Sequence, residues 1–308
     1  MIVTLTVNPA IDRTLTVDRL AFENRSHILS SKDSPGGRGI NSSCVIHSFG
    51  GETLAIVPAG GSAGKRFEAF LDQCGFPIEV VPVRNEMRTN LTVTDRHGLT
   101  MKLNEPGPMI EKGELGKIEK AVRAKLDQAS WLMLCGSLPP GVPANFYAQL
   151  IAAARKRDVK TLLDTDGEPL IEGIEAKPTV VSPNQQEAEQ LLNTALLTRT
   201  HYMQAVDRIQ TMGAQSVILS LGSRGAVASF CGRMIEVLPP RVDVLCSIGA
   251  GDAMAAAFLW AMENKDDYKD AVRWGVAAGT ASAQLPGMKF ASLQETREVY
   301  KDVEVRRL

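Results

Sequence analysis

Aromatic side chains, net charge, long apolar runs and clustered metal ligands are all scarce in this chain, and each shortage removes a class of protein. Aromatics make up 5% of the 308 residues, and 34 Lys+Arg stand against 35 Asp+Glu for a formal net charge of −1. No overall basic field exists to draw nucleic acid or an anionic membrane, so neither is expected as a partner. A local basic pocket for a small anion remains open. No apolar stretch approaches the roughly 18–20 residues that span a bilayer. No basic segment followed by an apolar run reads as a signal peptide, and the expected location is cytoplasmic. Cys44, Cys74, Cys135, Cys231 and Cys246 are scattered, as are His27, His47, His97 and His201. That dispersion reads as reduced thiols without a His/Cys metal site. Any metal should be bound by oxygen, as magnesium is.

What remains is an ordinary globular composition, 44% hydrophobic and 22% charged, in a length suited to one large domain. Short apolar runs alternate with amphipathic segments, a pattern of alternating strand and helix around a largely parallel sheet. Ile2–Val7, Leu54–Pro58, Trp131–Cys135, Thr161–Asp164 and Ser216–Leu221 read as buried strands. Lys65–Cys74, Pro143–Arg155 and Tyr202–Met212 read as helices, with two more from Gly251 to Asn264 and from Asp267 to Gln284. Thr14–Val17, Ile28–Lys32, Asn90–Asp95 and Leu99–Leu103 instead alternate apolar and polar residues, with His97-Gly98 as a turn. They predict a small antiparallel sheet with one wet face. It interrupts the α/β pattern twice, as a discontinuous lid over residues 12–34 and 87–106 of a single domain, 1–308.

Glycine clusters carry the chemistry. Ser247-Ile248-Gly249-Ala250-Gly251-Asp252 follows the apolar stretch Val242–Leu245 and opens a helix that is apolar nearly all round. Gly249, Ala250 and Gly251 would aim amides at one point, beside a carboxylate. Phosphoryl transfer needs that pairing: fixed donors for developing charge and a proton acceptor for the attacking hydroxyl. An acidic residue complementing a helix dipole after a flexible turn would look the same. Pro35-Gly36-Gly37-Arg38-Gly39-Ile40-Asn41 could hold a polar substrate, or be a loop that starts a helix. Leu221-Gly222-Ser223-Arg224-Gly225 alone is a hairpin turn. Two rival glycine motifs fail. A dinucleotide fingerprint needs glycine or alanine where Met254 stands, and a P-loop needs Lys-Ser/Thr where Lys65-Arg66 stands.

Read in order, the motifs resemble the ribokinase-like (PfkB) carbohydrate kinases nearly from end to end. They are Asn8-Pro9-Ala10-Ile11-Asp12, Gly36–Asn41, Gly136-Ser137-Leu138-Pro139-Pro140-Gly141, Asp164-Thr165-Asp166-Gly167-Glu168, Pro183-Asn184-x-x-Glu187, Ser220-Leu221-Gly222 and Gly249–Asp252. Leu103–Pro108 and Gly136–Gly141 are similar to the branch acting on phosphorylated ketohexoses. That branch includes 1-phosphofructokinases, tagatose-6-phosphate kinases and one type of 6-phosphofructokinase.

The resemblance implies a three-layer α/β/α sandwich with a small β-sheet lid, ATP and Mg2+ as cofactors, a sugar phosphate as substrate, and a homodimer paired through the lid. It implies Asp252 as general base and the Gly249, Ala250 and Gly251 amides as anion hole. Asp12, Gly37, Asn41 and Ser137 would hold the sugar. Arg88 and Asn90, with Arg25 and Arg38, would face the substrate's own phosphate. Ser220, Gly222, Gly225 and Asn184 would meet the nucleotide, and Glu187 would organise magnesium, mostly through water. Asn184-x-x-Glu187 also has the spacing of a helix capping box, and both roles are compatible. The chain departs from the branch at Ser182, where a lysine usually precedes Pro-Asn; Arg38 is expected to compensate across the site. It departs again at Cys246-Ser247-Ile248 and at Gln284–Met288. A kinase for a free sugar or nucleoside, or a weakly catalytic sensor, are the alternatives.

Overall fold

The computed structural model describes residues 1–21 and 23–308; Phe22, within the first predicted insertion, lies outside the described residues. In chain order the first half holds β1 (Ile2–Thr6), β2 (Ala10–Val17), β3 (Ile28–Gly36), α1 (Arg38–Ser48), β4 (Thr53–Ala59), α2 (Gly61–Leu71), β5 (Ile78–Pro82), β6 (Arg88–Asp95), β7 (Thr100–Leu103), α3 (Lys112–Lys125) and β8 (Trp131–Cys135). Next come α4 (Phe146–Arg155), β9 (Lys160–Asp164), α5 (Gly167–Glu175), β10 (Val180–Val181), α6 (Gln185–Leu192), α7 (Arg199–Met212), β11 (Ser216–Ser220), β12 (Ala226–Phe230) and β13 (Arg233–Leu238). The chain closes with α8 (Ala250–Glu263), α9 (Tyr268–Ala283), α10 (Leu293–Asp302) and β14 (Glu304–Arg307).

A ten-stranded sheet runs β14-β13-β12-β11-β10-β9-β8-β1-β4-β5. From β11 to β5 every pairing is parallel, while β12, β13 and β14 add antiparallel ladders at one edge. Parallel strands are covered on both faces and so read as continuous apolar runs. Alternation still decides which layer each residue meets. In β1 and β8, Ile2, Trp131 and Met133 pack with α1, α8 and α9; Val3, Leu5, Leu132 and Leu134 pack with α3 to α7 on the other face. A separate four-stranded sheet runs β3-β2-β6-β7. It is mixed, not antiparallel as expected: β2–β3 and β6–β7 are antiparallel hairpin pairs, but β2 and β6, which belong to two separate insertions, run in the same direction with Ala10 opposite Arg88. The expected three-layer α/β architecture with a second, small sheet is the one observed. No helix among the described residues is long and apolar enough to cross a membrane.

Two packing devices fix the helices that carry the glycine clusters. Ser43 of α1 bridges the Thr4 and Thr53 hydroxyls, 2.9 Å from each, in a buried chain from β1 to β4. Helix α8 is buried around most of its circumference, and glycines of α9 let it approach closely. A Cβ on Gly275 would lie 2.8 Å from the Met254 carbonyl oxygen, and one on Gly279 would lie 2.9 Å from that of Ala250.

Several boundaries differ from the sequence reading: β2 begins at Ala10 ahead of Thr14, β3 runs on to Gly36 and α7 begins at Arg199 ahead of Tyr202. Three further features have a tertiary reason. Helix α2 starts at Gly61, ahead of the expected Lys65, because Glu86 from a later segment accepts from the Ser62 and Ala63 amides. Helix α4 begins at Phe146, since Val142 and Phe146 first close turns onto Pro139 and Pro143. Val242–Leu245 forms no strand; it is a loop with Val244 and Leu245 exposed, pinned where the Leu245 and Cys246 amides donate to the Ala283 carbonyl.

The tight α8–α9 contact makes a stability prediction. Gly275→Val should destabilise the fold by roughly 1–3 kcal/mol, the range for overpacking a filled site. Urea unfolding checks it, and an unchanged midpoint would mean that the helices can part at no cost.

Candidate active site

The carboxyl ends of parallel strands are where open α/β sheets bind ligands. Here Asn8 follows β1, Gly136 follows β8, Asp164 ends β9, Asn184 follows β10 and Ser220 ends β11. The starts of α1 and α8 converge on the same rim.

At the start of α8, Gly249 is the N-cap with φ 82°, a left-handed conformation that glycine adopts without strain. The first intrahelical bond runs from the Ala253 amide to the Gly249 carbonyl. The Ala250 amide turns back to the Ser247 carbonyl at 3.3 Å. That leaves the Gly249, Gly251 and Asp252 amides without a partner among the described residues, at the positive end of the helix. Of the three amides expected as an anion hole, Ala250's is therefore partly committed elsewhere.

Asp252 lies half-buried in the first turn, and its Oδ2 accepts from Asn41 Nδ2 at 2.7 Å. Burial, followed by the nearby Asp164 charge, pushes its pKa up to about 7; Asn41 and Arg38 restrain the rise. A carboxyl balanced near neutrality between charged and uncharged forms suits a general base.

On one side of Asp252 lies a polar recess. Asp12 leaves β2 against Gly36, where any Cβ would run into its carboxylate. Its Oδ1 accepts from Asn90 Nδ2 at 3.0 Å, and burial raises its pKa. Arg88 donates to the Glu105 carbonyl at 2.9 Å and to the Asn8 carbonyl at 2.7 Å, and burial lowers its pKa. Asn8 Nδ2 donates to the Pro106 carbonyl at 3.0 Å and to Ser137 Oγ at 3.2 Å. Gly37, the N-cap of α1 with φ 136°, packs against Thr6, whose methyl a Cβ there would meet at 2.7 Å. Buried Thr6 Oγ1, Asn8 Oδ1, Arg88 Nε and Asn90 Oδ1 have no partner among the described residues. Buried polar atoms are rarely left so.

Arg38 lies elsewhere in the rim. Its guanidinium donates to Asp164 at 2.9 Å, Asp166 at 2.9 Å and Glu187 at 3.2 Å. The Asp164 charge, first among these, raises its pKa. Three carboxylates around one cation leave the cluster negative. Arg38 is thus engaged by three carboxylates and shares no partner with Arg88. Arg25 is exposed in the segment joining β2 to β3. Five residues separate Asp12 from the Val17 end of β2, roughly 16 Å at strand rise. The structure does not bring Arg25 to Asp12 within one chain, because it sits at the opposite end of the small sheet.

On the other side of Asp252 opens a cavity of about 860 Å³, lined by Asn184, Ser220, Gly222, Gly225, Ala250 and Gly251 among others. All four residues expected to meet a nucleotide are there. The lining is almost uncharged: the β11–β12 turn, the 239–247 loop, Met254, and Val276, Gly279, Thr280 and Ala283 of α9. Asn184 and Glu187 do form the capping box of α6, each side chain accepting from the other's amide at 2.9 Å. Glu187 therefore uses Oε2 on the Asn184 amide and Oε1 on Arg38, and burial raises its pKa.

Sequence reasoning missed Asn8 as a link between recess and loop, the carboxylate cluster around Arg38, and the cavity face of α9. The spacing of Val276, Thr280 and Ala283, on one helical face, was the available signal for the last.

Comparison with known proteins agrees with this geometry. A family model described as pfkB family carbohydrate kinase matches residues 3–295. The ATP-dependent 6-phosphofructokinase isozyme 2 of Escherichia coli (strain K12) is 32% identical over 302 residues, 97% of each chain. The 1-phosphofructokinase of Borreliella burgdorferi is 30% identical over 308 residues, 99% of this chain and 98% of the relative. The crystal structure of Escherichia coli phosphofructokinase-2 with substrates and products superposes with a TM-score of 0.90 at 32% identity, covering 98% of both chains. The Arabidopsis thaliana ribokinase complexed with ribose and ATP shares the fold, with a TM-score of 0.79 at 21% identity over 97% and 98% of the chains. With a paired carboxylate and helix start between a polar recess and a nucleotide-sized cavity, and with the family pattern over nearly its whole length, this chain belongs to the pfkB family of ATP-dependent carbohydrate kinases.

Proposed function

We propose that the chain transfers the γ-phosphoryl group of ATP to a hydroxyl of a phosphorylated ketohexose, fructose 1-phosphate, fructose 6-phosphate or tagatose 6-phosphate, giving the bisphosphate. The observation that carries this is the place of Asp252, between a recess holding the unpartnered Arg88 Nε and a neutral cavity opening on the α8 amides. Relatives named as 6-phosphofructokinase and 1-phosphofructokinase support the substrate class.

In this reading Asp12, Asn41, Ser137 and the Gly37 backbone orient the sugar, while Arg88 and Asn90 meet its existing phosphate. Asp252 takes the hydroxyl proton as the oxygen attacks the γ-phosphorus, and the bond to the bridging oxygen breaks to release ADP. The free amides at the start of α8 face the charge on the transferring group. The nucleotide lies along Asn184, Ser220, Gly222 and Gly225.

Magnesium, bound with the nucleotide, would neutralise its β- and γ-phosphates. No group of three His, Cys, Asp or Glu among the described residues is placed to hold a metal directly. With both Glu187 oxygens already engaged, Asn184 and Glu187 fit a magnesium held through water. The small sheet, read as a lid, exposes Ile28, Leu29, Leu99 and Leu103. We infer that a second copy covers them, and that Arg25 reaches a sugar-phosphate site only across that interface.

ADP release should appear with at least one of the three ketohexose phosphates and not with free hexoses, ribose or nucleosides. Release with unphosphorylated compounds alone would overturn the substrate class, and binding of ATP and sugar phosphate without release would indicate a sensor. Asp252→Asn should lower turnover by roughly 100-fold or more. In the unsubstituted enzyme kcat/KM should rise with pH and level off above the Asp252 pKa of about 7. The same raised pKa has a stability sign. The folded state holds this proton more tightly than the unfolded chain, so stability is lost as pH rises from 3.8 to about 7. Asparagine does not titrate, so the melting-temperature difference between Asp252→Asn and the parent should grow across that window. A flat difference would mean that folding does not raise the Asp252 pKa, while near-normal turnover of Asp252→Asn would remove it from the role of base. Sedimentation should show a dimer at micromolar concentration; monomer alone would refute pairing through the small sheet.

A further inference from the structure

The cavity beside α8 poses a charge problem. A nucleoside polyphosphate is strongly anionic, yet the walls offer serine hydroxyls, glycine backbone and apolar side chains. Two cations near this end of the sheet are committed elsewhere. Arg38 is held by Asp164, Asp166 and Glu187. Arg224, although next to the lining Ser223, donates to the Tyr202 hydroxyl and to Gln185 and stacks over the Tyr202 ring. Ser182 is buried and neutral. Among the described residues, Arg241 is the single charged side chain lining the cavity; it is exposed and makes no hydrogen bond or ion pair with another of them.

Its position is set by the backbone on both sides. Pro239 abuts the β11–β12 turn, where a Cβ on Gly225 would come within 2.8 Å of the proline ring. Arg241 follows two residues later, at most about 7 Å of chain. Beyond it, Val242 and Val244 line the cavity, and the Leu245 and Cys246 amides fasten the loop to the end of α9. The lining has two kinds of surface. Ser220, Gly222, Ser223 and Gly225 offer hydroxyls and backbone to phosphate, while Val242, Val244, Val276 and Ala283 are apolar and suit a base.

We propose that Arg241 is a binding and specificity residue for the nucleotide, pairing with its non-transferring phosphates. The proposal rests on reading this cavity as the nucleotide site. A planar guanidinium suits two phosphate oxygens, and a partly exposed loop position lets it close on the ligand without the desolvation cost of a buried charge. Arg241 then separates ADP and ATP from adenosine, while transition-state stabilisation stays with α8.

Calorimetric titration of the full chain with ADP and with adenosine tests this, using the parent, Arg241→Gln and Arg241→Lys. Arg241→Gln should weaken ADP binding about tenfold, leave adenosine unchanged and raise the KM for ATP in proportion with kcat retained. Arg241→Lys should keep most of the affinity, because charge is preserved. Raising the salt should weaken ADP binding to the parent more than to Arg241→Gln. Equal ADP affinity in the parent and Arg241→Gln, or an equal loss for ADP and adenosine, would overturn the assignment. If the parent binds neither ligand, the cavity is not a nucleotide site and the underlying reading fails instead. Thermal melts of each variant separate these results from misfolding, and the uncharged Arg241→Met, expected to lose ADP affinity as Arg241→Gln does, carries the comparison should Arg241→Gln not fold.

Discussion

One hydrogen bond, from Asn41 to Asp252, joins residues 211 positions apart and holds together the two helix starts on which the site is built. Neither end of that bond is placed by local propensity. Asn41 is aimed by α1, whose position depends on the buried Thr4–Ser43–Thr53 hydroxyl chain. Asp252 is aimed by α8, whose approach to α9 depends on glycines where any side chain would clash. The bond also sets chemistry. By donating to the charged form, Asn41 opposes the burial that drives the Asp252 proton affinity up, and the balance falls near neutrality. A more deeply protonated carboxyl could not accept a proton at physiological pH; a well-solvated one would accept it too weakly.

The surrounding charges extend the same tuning. Asp164, Asp166 and Glu187 gather around Arg38, and the excess negative charge reaches Asp252 through Asp164. Such a cluster is costly to bury and gains little if judged as a salt bridge alone. It makes sense as an electrostatic frame, in which Arg38 fastens the start of α1 to the end of β9 and to α6 while the carboxylates keep Asp252 from losing its proton too easily. The capping box at Asn184 and Glu187 serves that frame too, since it fixes the carboxylate that Arg38 grips.

The parts legible in the sequence were those written in local patterns. Continuous apolar runs marked β1, β8 and β9 nearly to the residue, and glycine followed by Asp252 marked the start of α8. Alternating polarity separated the small sheet from the main one. What stayed hidden was set by distant partners. Glu86 caps α2 from another segment, so Gly61–Leu71 showed no start signal of its own. No one-dimensional pattern shows that Asp164 and Glu187, more than 120 residues away, engage the Arg38 guanidinium. Arg25 looked close to Asp12 in number, but an extended strand carries the chain away as fast as geometry allows. Val242–Leu245 had the composition of a strand, yet its amides are taken by the end of α9, which keeps it out of the sheet.

Under the proposed function, the two halves of the site would hold anions by different means. The recess would have to discriminate one arrangement of hydroxyls and a phosphate, and it is built from side chains fixed on strands, with buried polar atoms that have no partner among the described residues. A ligand lacking one of those groups leaves a buried donor or acceptor unsatisfied, which costs more than a lost contact. A nucleotide in the cavity would set a simpler task, since every nucleoside triphosphate offers the same tail, and backbone amides and glycine turns would serve it together with the exposed Arg241. A strong cation buried in that cavity would also lie close to Asp252 and pull its pKa down, weakening the base. Uncharged walls, with Arg241 the single charged lining side chain among the described residues and kept on an exposed loop, therefore leave the proton affinity of Asp252 to be set by burial, Asp164, Asn41 and Arg38.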